Sequence, residues 1–73
     1  MNLAPIAEIK AELRSMYPMF KFDMKPQQST HSYSLIVFKG VERLGDMTIN
    51  ADTPMDVFWS RVREWMLQFI RNY

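Results

Sequence analysis

The sequence has no cysteine, one histidine and two glycines among its 73 residues. Without cysteine there is no disulfide framework, no thiolate nucleophile and no sulfur ligand for zinc, and one histidine would leave carboxylates to complete any metal site. Two isolated glycines make no phosphate-cradling loop, and neither a paired-carboxylate signature nor an HExxH-type metal motif is present. An excess of either charge is missing too. Nine Lys plus Arg stand against eight Asp plus Glu, for a net charge of +1, far from the basic balance of most nucleic-acid binders. No stretch approaches the ~20 apolar residues that span a bilayer. Glu8, Lys10, Glu12 and Arg14 interrupt the first helical segment where a signal-peptide core would lie. These absences lead us to expect a non-enzymatic cytoplasmic protein with no cofactor, no metal, no membrane association and no small-molecule substrate.

Apolar residues, in contrast, are plentiful: 48% of the chain, with five Phe, three Tyr, two Trp and seven Met. A chain this short forms one domain, spanning residues 1–73, and buries only about 60 to 65% of the surface its unfolded form exposes. Part of this apolar inventory is therefore expected at the surface.

From Pro5 to Tyr17, the residues Ile6, Ile9, Leu13, Met16 and Tyr17 recur at helical spacing, with Glu8, Lys10, Glu12 and Arg14 on the other side. Asn2 suits an N-cap, Pro5 the first turn, and Pro18 a stop. Met19 to Lys25 alternates as a half-buried strand, with Phe20, Phe22 and Met24 on one face. Pro26 to Ser32 reads as a polar loop and Tyr33 to Lys39 as a second strand. Gly40 turns the chain into a third strand from about Glu42 to Asn50, where Gly45 marks a bulge or weak point.

A long helix from about Thr53 to Arg71 follows, with Thr53 as N-cap, Pro54 at the first helical position and Asp56 as a capping-box carboxylate. At ~100° per residue, Trp65, Phe58, Phe69, Val62, Met55, Met66, Trp59 and Ile70 share an arc of about 140°. Trp59 and Trp65 fall at its edges and are expected to be core. Val57 and Leu67 interrupt the charged side opposite.

The order helix, strand, strand, strand, helix predicts an α+β fold: a small αβββα domain whose three-stranded antiparallel meander carries both helices on one face. The central strand then poses a problem. Tyr33, Leu35 and Val37 lie on one face, Ile36 and Phe38 on the other, and only one face is covered.

This order resembles a double-stranded-RNA-binding domain over nearly the whole chain. His31 in the loop after the first strand, Leu35 four residues on and Gly45 in the third strand match in spacing. The lysine cluster that such a domain carries at the start of its second helix is replaced here by ADTPMDVF, from Ala51 to Phe58, where Asp52 and Asp56 would oppose a phosphate backbone. The resemblance implies the fold and leaves nucleic-acid binding as the alternative, with Lys21, Lys25, His31 and Arg43 as its contacts.

His31 has no nucleophile or carboxylate placed beside it by any motif, and Ser29, Thr30, Ser32 and Ser34 read as an ordinary polar loop. Arg61, Arg63 and Arg71, with Lys10, Arg14, Lys21, Lys25 and Arg43, would form a basic patch if the fold gathered them. Leu67, flanked one turn away by Arg63 and Arg71, has the composition of a protein-binding spot. The expectation is a protein-binding or self-associating accessory module, of the type of a bacterial or phage regulator or inhibitor. Its contacts would be Tyr33, Leu35, Ile36, Phe38, Arg63, Leu67 and Arg71.

Overall fold

The computed structural model describes residues 6–71. Its elements run α1 (Ile6–Met16), β1 (Lys21–Gln27), a 3-10 turn (Gln28–Thr30), β2 (Ser32–Lys39), β3 (Glu42–Asn50) and α2 (Met55–Arg71). The strands form one antiparallel sheet in the order β1-β2-β3, so the αβββα meander is the fold. Asn2 and Pro5, expected to start α1, lie outside the described residues.

The central strand decides the architecture. Leu35 and Val37 have no exposed surface, whereas Ile36 and Phe38 are half-buried. Across the register, Leu35 faces Met24 and Met47, and Val37 faces Phe22 and Gly45. Ile9 and Leu13 of α1 and Phe58, Val62 and Met66 of α2 join Phe20, Met24, Leu35, Val37 and Ile49 in a single core. Both helices thus contribute to a core built on the odd-numbered side of β2. The even-numbered side carries Ser32, Ser34, Ile36 and Phe38.

Two glycines are placed by geometry. Gly40 adopts φ +64° in the two-residue link between Lys39 and Glu42, and Val41 stays at negative φ, the pattern of a type II′ hairpin turn. Gly45 lies under the ring of Phe69, where an added Cβ would come within 2.9 Å of Phe69 Cζ. Beside it, the register shifts between Val37 and Phe38, leaving Leu44 as the extra residue of a β-bulge. In an unbroken strand, residues three apart lie on opposite faces. The bulge instead brings Arg43 and Asp46 to the same face, where they form an ion pair beside Phe38 and Ile36.

The remaining departures from expectation are local. β1 begins two residues later than Met19 and runs through Pro26, which an edge strand tolerates because its outward side needs no donor. The polar loop is consequently shorter than Pro26 to Ser32. Pro54 rather than Thr53 supplies the carbonyl that accepts the first helical bond of α2, from the Phe58 N–H at 2.9 Å. Ahead of it, the Asn50 side chain accepts from the Asp52 N–H at 2.9 Å and closes the connecting turn. Trp59 and Trp65 pack at the core margin, edge-on to Phe58 and Phe69 at centroid distances of 5.0 and 5.2 Å. Ile70, expected in the core arc, is 42% exposed in the last turn.

The contact between Gly45 and Phe69 is directly testable. Gly45→Val should cost about 1 to 3 kcal/mol through overpacking. The same substitution should cost much less in a Phe69→Ala background, and urea denaturation of the four proteins would measure that coupling. Additive costs would show that Phe69 does not set the requirement for glycine.

Candidate functional site

Exposed apolar side chains stand at the hairpin turn (Val41), at the start of α2 (Val57), at the end of α1 and the turn into β1 (Met16, Met19) and in the last turns of α2 (Leu67, Ile70). Only at the end of α1 do they line a common hollow with a residue of α2. Tyr17 donates its N–H to the Leu13 carbonyl at 2.8 Å, and Phe20 donates to the Tyr17 carbonyl at 3.0 Å. Pro18 cannot extend the helix, so the chain turns tightly there. That turn leaves Met19 65% exposed and Met16 37% exposed; on α2, Ile70 is 42% exposed beside them, and Leu67, outside the shared hollow, is 47% exposed. Met16, Tyr17, Pro18, Met19, Phe20 and Ile70 line a dimple of about 240 Å³. No charged side chain lines it.

Two further depressions adjoin the dimple, and α1 sorts their charge. Glu8 and Glu12, one turn apart, line a groove of about 380 Å³ with Trp59 and Arg63 of α2, and Met16 is common to this groove and the dimple. Lys10 and Arg14, also one turn apart, line a cleft of about 400 Å³ with Lys21, and Pro18 and Phe20 are common to this cleft and the dimple. The acidic flank of α1 therefore meets α2, and the basic flank meets β1. Lys10 reaches Asp23 at 3.8 Å, and Lys25 reaches the other oxygen of that carboxylate at 3.8 Å. Among the described residues, neither Arg14 nor Lys21 is paired with a carboxylate.

Several of the contacts expected from sequence are dispersed by this arrangement. Leu35 is fully buried beneath the helices and has no surface to offer a partner, because it lies on the covered face of the central strand. Tyr33 shares that face and is half-buried at its margin. Ile36 and Phe38 do lie on the uncovered face, but they are half-buried between β1, which carries Lys21 and Asp23 opposite them, and the Arg43–Asp46 pair on β3. Arg63 belongs to the groove between the helices. Leu67 and Arg71 are exposed one turn apart on α2. Lys21 and Lys25 lie on β1 and Arg43 on β3, at opposite edges of the sheet.

His31 adopts φ +49°, a left-handed conformation uncommon outside glycine. Its carbonyl accepts the Ala51 N–H at 3.0 Å, and its Nε2 lies 3.4 Å from Asp52 Oδ1. Both side chains are about 70% exposed (72% and 70%), so the pair is a surface contact tying the loop to the start of α2. Ser32, buried next to His31 in sequence, instead shares a 2.6 Å hydrogen bond with the Thr30 hydroxyl. Among the described residues no group of three or more His, Asp or Glu side chains gathers, and no helix is long and apolar enough to cross a membrane.

Met16, Met19 and Ile70 are the surface residues that sequence reasoning assigned to the core or overlooked. A signal existed in Met19, an apolar residue directly after a helix-stopping proline. Comparisons with protein-family models, curated proteins and solved structures return no match for this chain. The likeness to double-stranded-RNA-binding domains is therefore one of element order.

Burial raises the Tyr17 phenol above its ordinary value of 10.0, and the nearby Arg63 guanidinium pulls it part of the way back. The unfolded chain then releases its proton first as pH climbs. Stability from Tyr17 is fully present below pH ~10 and is lost as pH rises through the folded value. Tyr17→Phe should flatten the alkaline loss of stability measured by urea denaturation. With Tyr33 and Tyr73 replaced by Phe so that tyrosinate absorbance reports Tyr17 alone, Arg63→Ala should move its titration to still higher pH; an unchanged midpoint would remove Arg63 as its neighbour.

Proposed function

We propose that the protein is a non-catalytic module that binds another protein through the apolar surface where the end of α1, the turn into β1 and the last turns of α2 meet. One observation carries this reading. Met16, Met19, Leu67 and Ile70 are all more than a third exposed, and three of them line a dimple with no charged side chain in it. Surface of this kind is costly to leave in water and marks interaction sites, where buried apolar anchors supply most of the affinity. The uncovered sheet face is the weaker candidate, because Ile36 and Phe38 are already half-covered by charged neighbours.

The His31–Asp52 pair does not favour catalysis. It is exposed on both sides, whereas a general base is oriented by a partner and works in an enclosed site. The RNA-binding alternative is disfavoured at the position it needs most. Asp52 and Asp56 stand at the start of α2, and His31 is engaged with one of them.

Affinity capture from the host, with partners identified by mass spectrometry, should compare wild type with two double variants. M19S/L67S should lose the principal partner by about tenfold or more, as expected when anchor residues are truncated. I36T/F38T, on the uncovered sheet face, should retain it. The reverse pattern would move the site to the sheet.

A further inference from the structure

The dimple and the cleft beside it are chemically unlike, yet they share two walls. The dimple is lined by Met16, Tyr17, Pro18, Met19, Phe20 and Ile70. Across Pro18 and Phe20 lies the cleft of Lys10, Arg14, Lys21 and Phe22. No carboxylate lines either depression. Asp23 answers Lys10 from one side, which leaves Arg14 and Lys21 as cations facing an open volume of about 400 Å³ without a counter-charge among the described residues.

We infer that the partner surface recognised here is an acidic peptide segment with one apolar anchor: the anchor side chain fills the Met16, Met19 and Ile70 dimple, and two or more adjacent carboxylates meet Arg14 and Lys21. The inference rests on the protein-binding reading above and adds the chemistry of the partner. Each half supports the other. An apolar dimple alone would accept many side chains, and a pair of exposed cations alone would attract any anion. Their shared walls require both features within a few residues of one chain. Arg14 can hold a carboxylate through two parallel N–H donors, while Lys21 acts as a compact point charge.

Nucleic acid is the competing polyanion, and a duplex is disfavoured because its phosphates would use the cleft while its stacked bases leave the dimple empty. A second copy of this chain would have to present a comparable acidic and apolar segment. The start of α2, with Asp52, Asp56 and exposed Val57, is the nearest approach to one. That contact would join unlike surfaces, running head to tail into a ring or an open chain of copies rather than a two-fold dimer.

The test is selection of a random peptide display library on the immobilised full chain, followed by affinity measurement for the enriched peptides in solution. Enriched sequences should carry an aromatic or aliphatic residue within a few positions of two or more Asp or Glu, and their affinity should fall as salt rises. R14E/K21E should weaken them by about tenfold or more. Synthetic versions with Lys in place of those acids should recover binding to R14E/K21E. M19S should weaken both pairings, and since all three positions are exposed, circular dichroism should show each variant folded.

Enrichment of neutral or basic peptides, no enrichment, or indifference to R14E/K21E would overturn the inference. So would a short RNA or DNA duplex that binds more tightly than any peptide and is lost in R14E/K21E. Sedimentation showing self-association abolished by the same variants would make the occupant a second copy, and would also overturn it. If host capture still depends on Met19 and Leu67 while the selected peptides are not acidic, the protein-binding reading stands and the acidic partner falls. If capture is indifferent to Met19 and Leu67 as well, both fall together.

Discussion

The packing of two helices on one side of β2 is the constraint from which the rest of the structure follows. Leu35 and Val37 are sealed between the sheet and the helices, and the apolar residues of α1 and α2 converge on them. Among the described residues there is no third layer to cover the opposite face. Ile36 and Phe38 are instead sheltered by the side chains of neighbouring strands, with the bulge at Leu44 bringing the Arg43–Asp46 pair over to help. The most exposed apolar side chains lie off that face: Met16 and Met19 at the end of α1, Leu67 and Ile70 at the end of α2, Val57 at the start of α2 and Val41 in the hairpin turn.

Much of this was legible from periodicity. The spacing of Ile9 and Leu13, the alternation of Phe20, Phe22 and Met24, and the arc from Phe58 to Met66 each give the face that is buried, because burial must follow the geometry of helix or strand. β2 was legible as a strand but not as to its orientation, since both of its faces are apolar and only the placement of the helices distinguishes them. Ile70 shows the limit of the helical arc. Angle around the axis says which way a residue faces, not whether anything lies opposite it at that height. Met16 and Met19 escaped for a related reason, as their exposure is set by the Pro18 turn and by where α2 ends, both matters of tertiary placement.

The charges were the least legible part. In the sequence, acids and bases interleave along α1 and appear as an ordinary solvated face. Alternation at two-residue spacing on a helix, however, separates Glu8 and Glu12 from Lys10 and Arg14 by about half a turn. Folding then gives each pair a different neighbour: Arg63 of α2 beside the acids, Lys21 of β1 beside the bases. A nearly neutral chain thus acquires one locally cationic cleft. Its position beside β1 differs from the start of α2, where the resemblance to RNA-binding domains would place such charge.

The two outer strands of the sheet also bear on how the molecule behaves in company. An exposed strand offers its backbone to any other chain, and an unguarded one invites stacking into aggregates. Here the two edges are guarded differently. β1 carries Pro26, which has no N–H to donate, directly after the charged Lys25, with Lys21 at the start of the strand. β3 is kinked by the Leu44 bulge, which spoils its register for a straight incoming strand. The bulge that brings Arg43 and Asp46 together therefore also discourages edge-to-edge sheet growth, so that the exposed apolar side chains at the ends of the helices are not accompanied by an open strand edge.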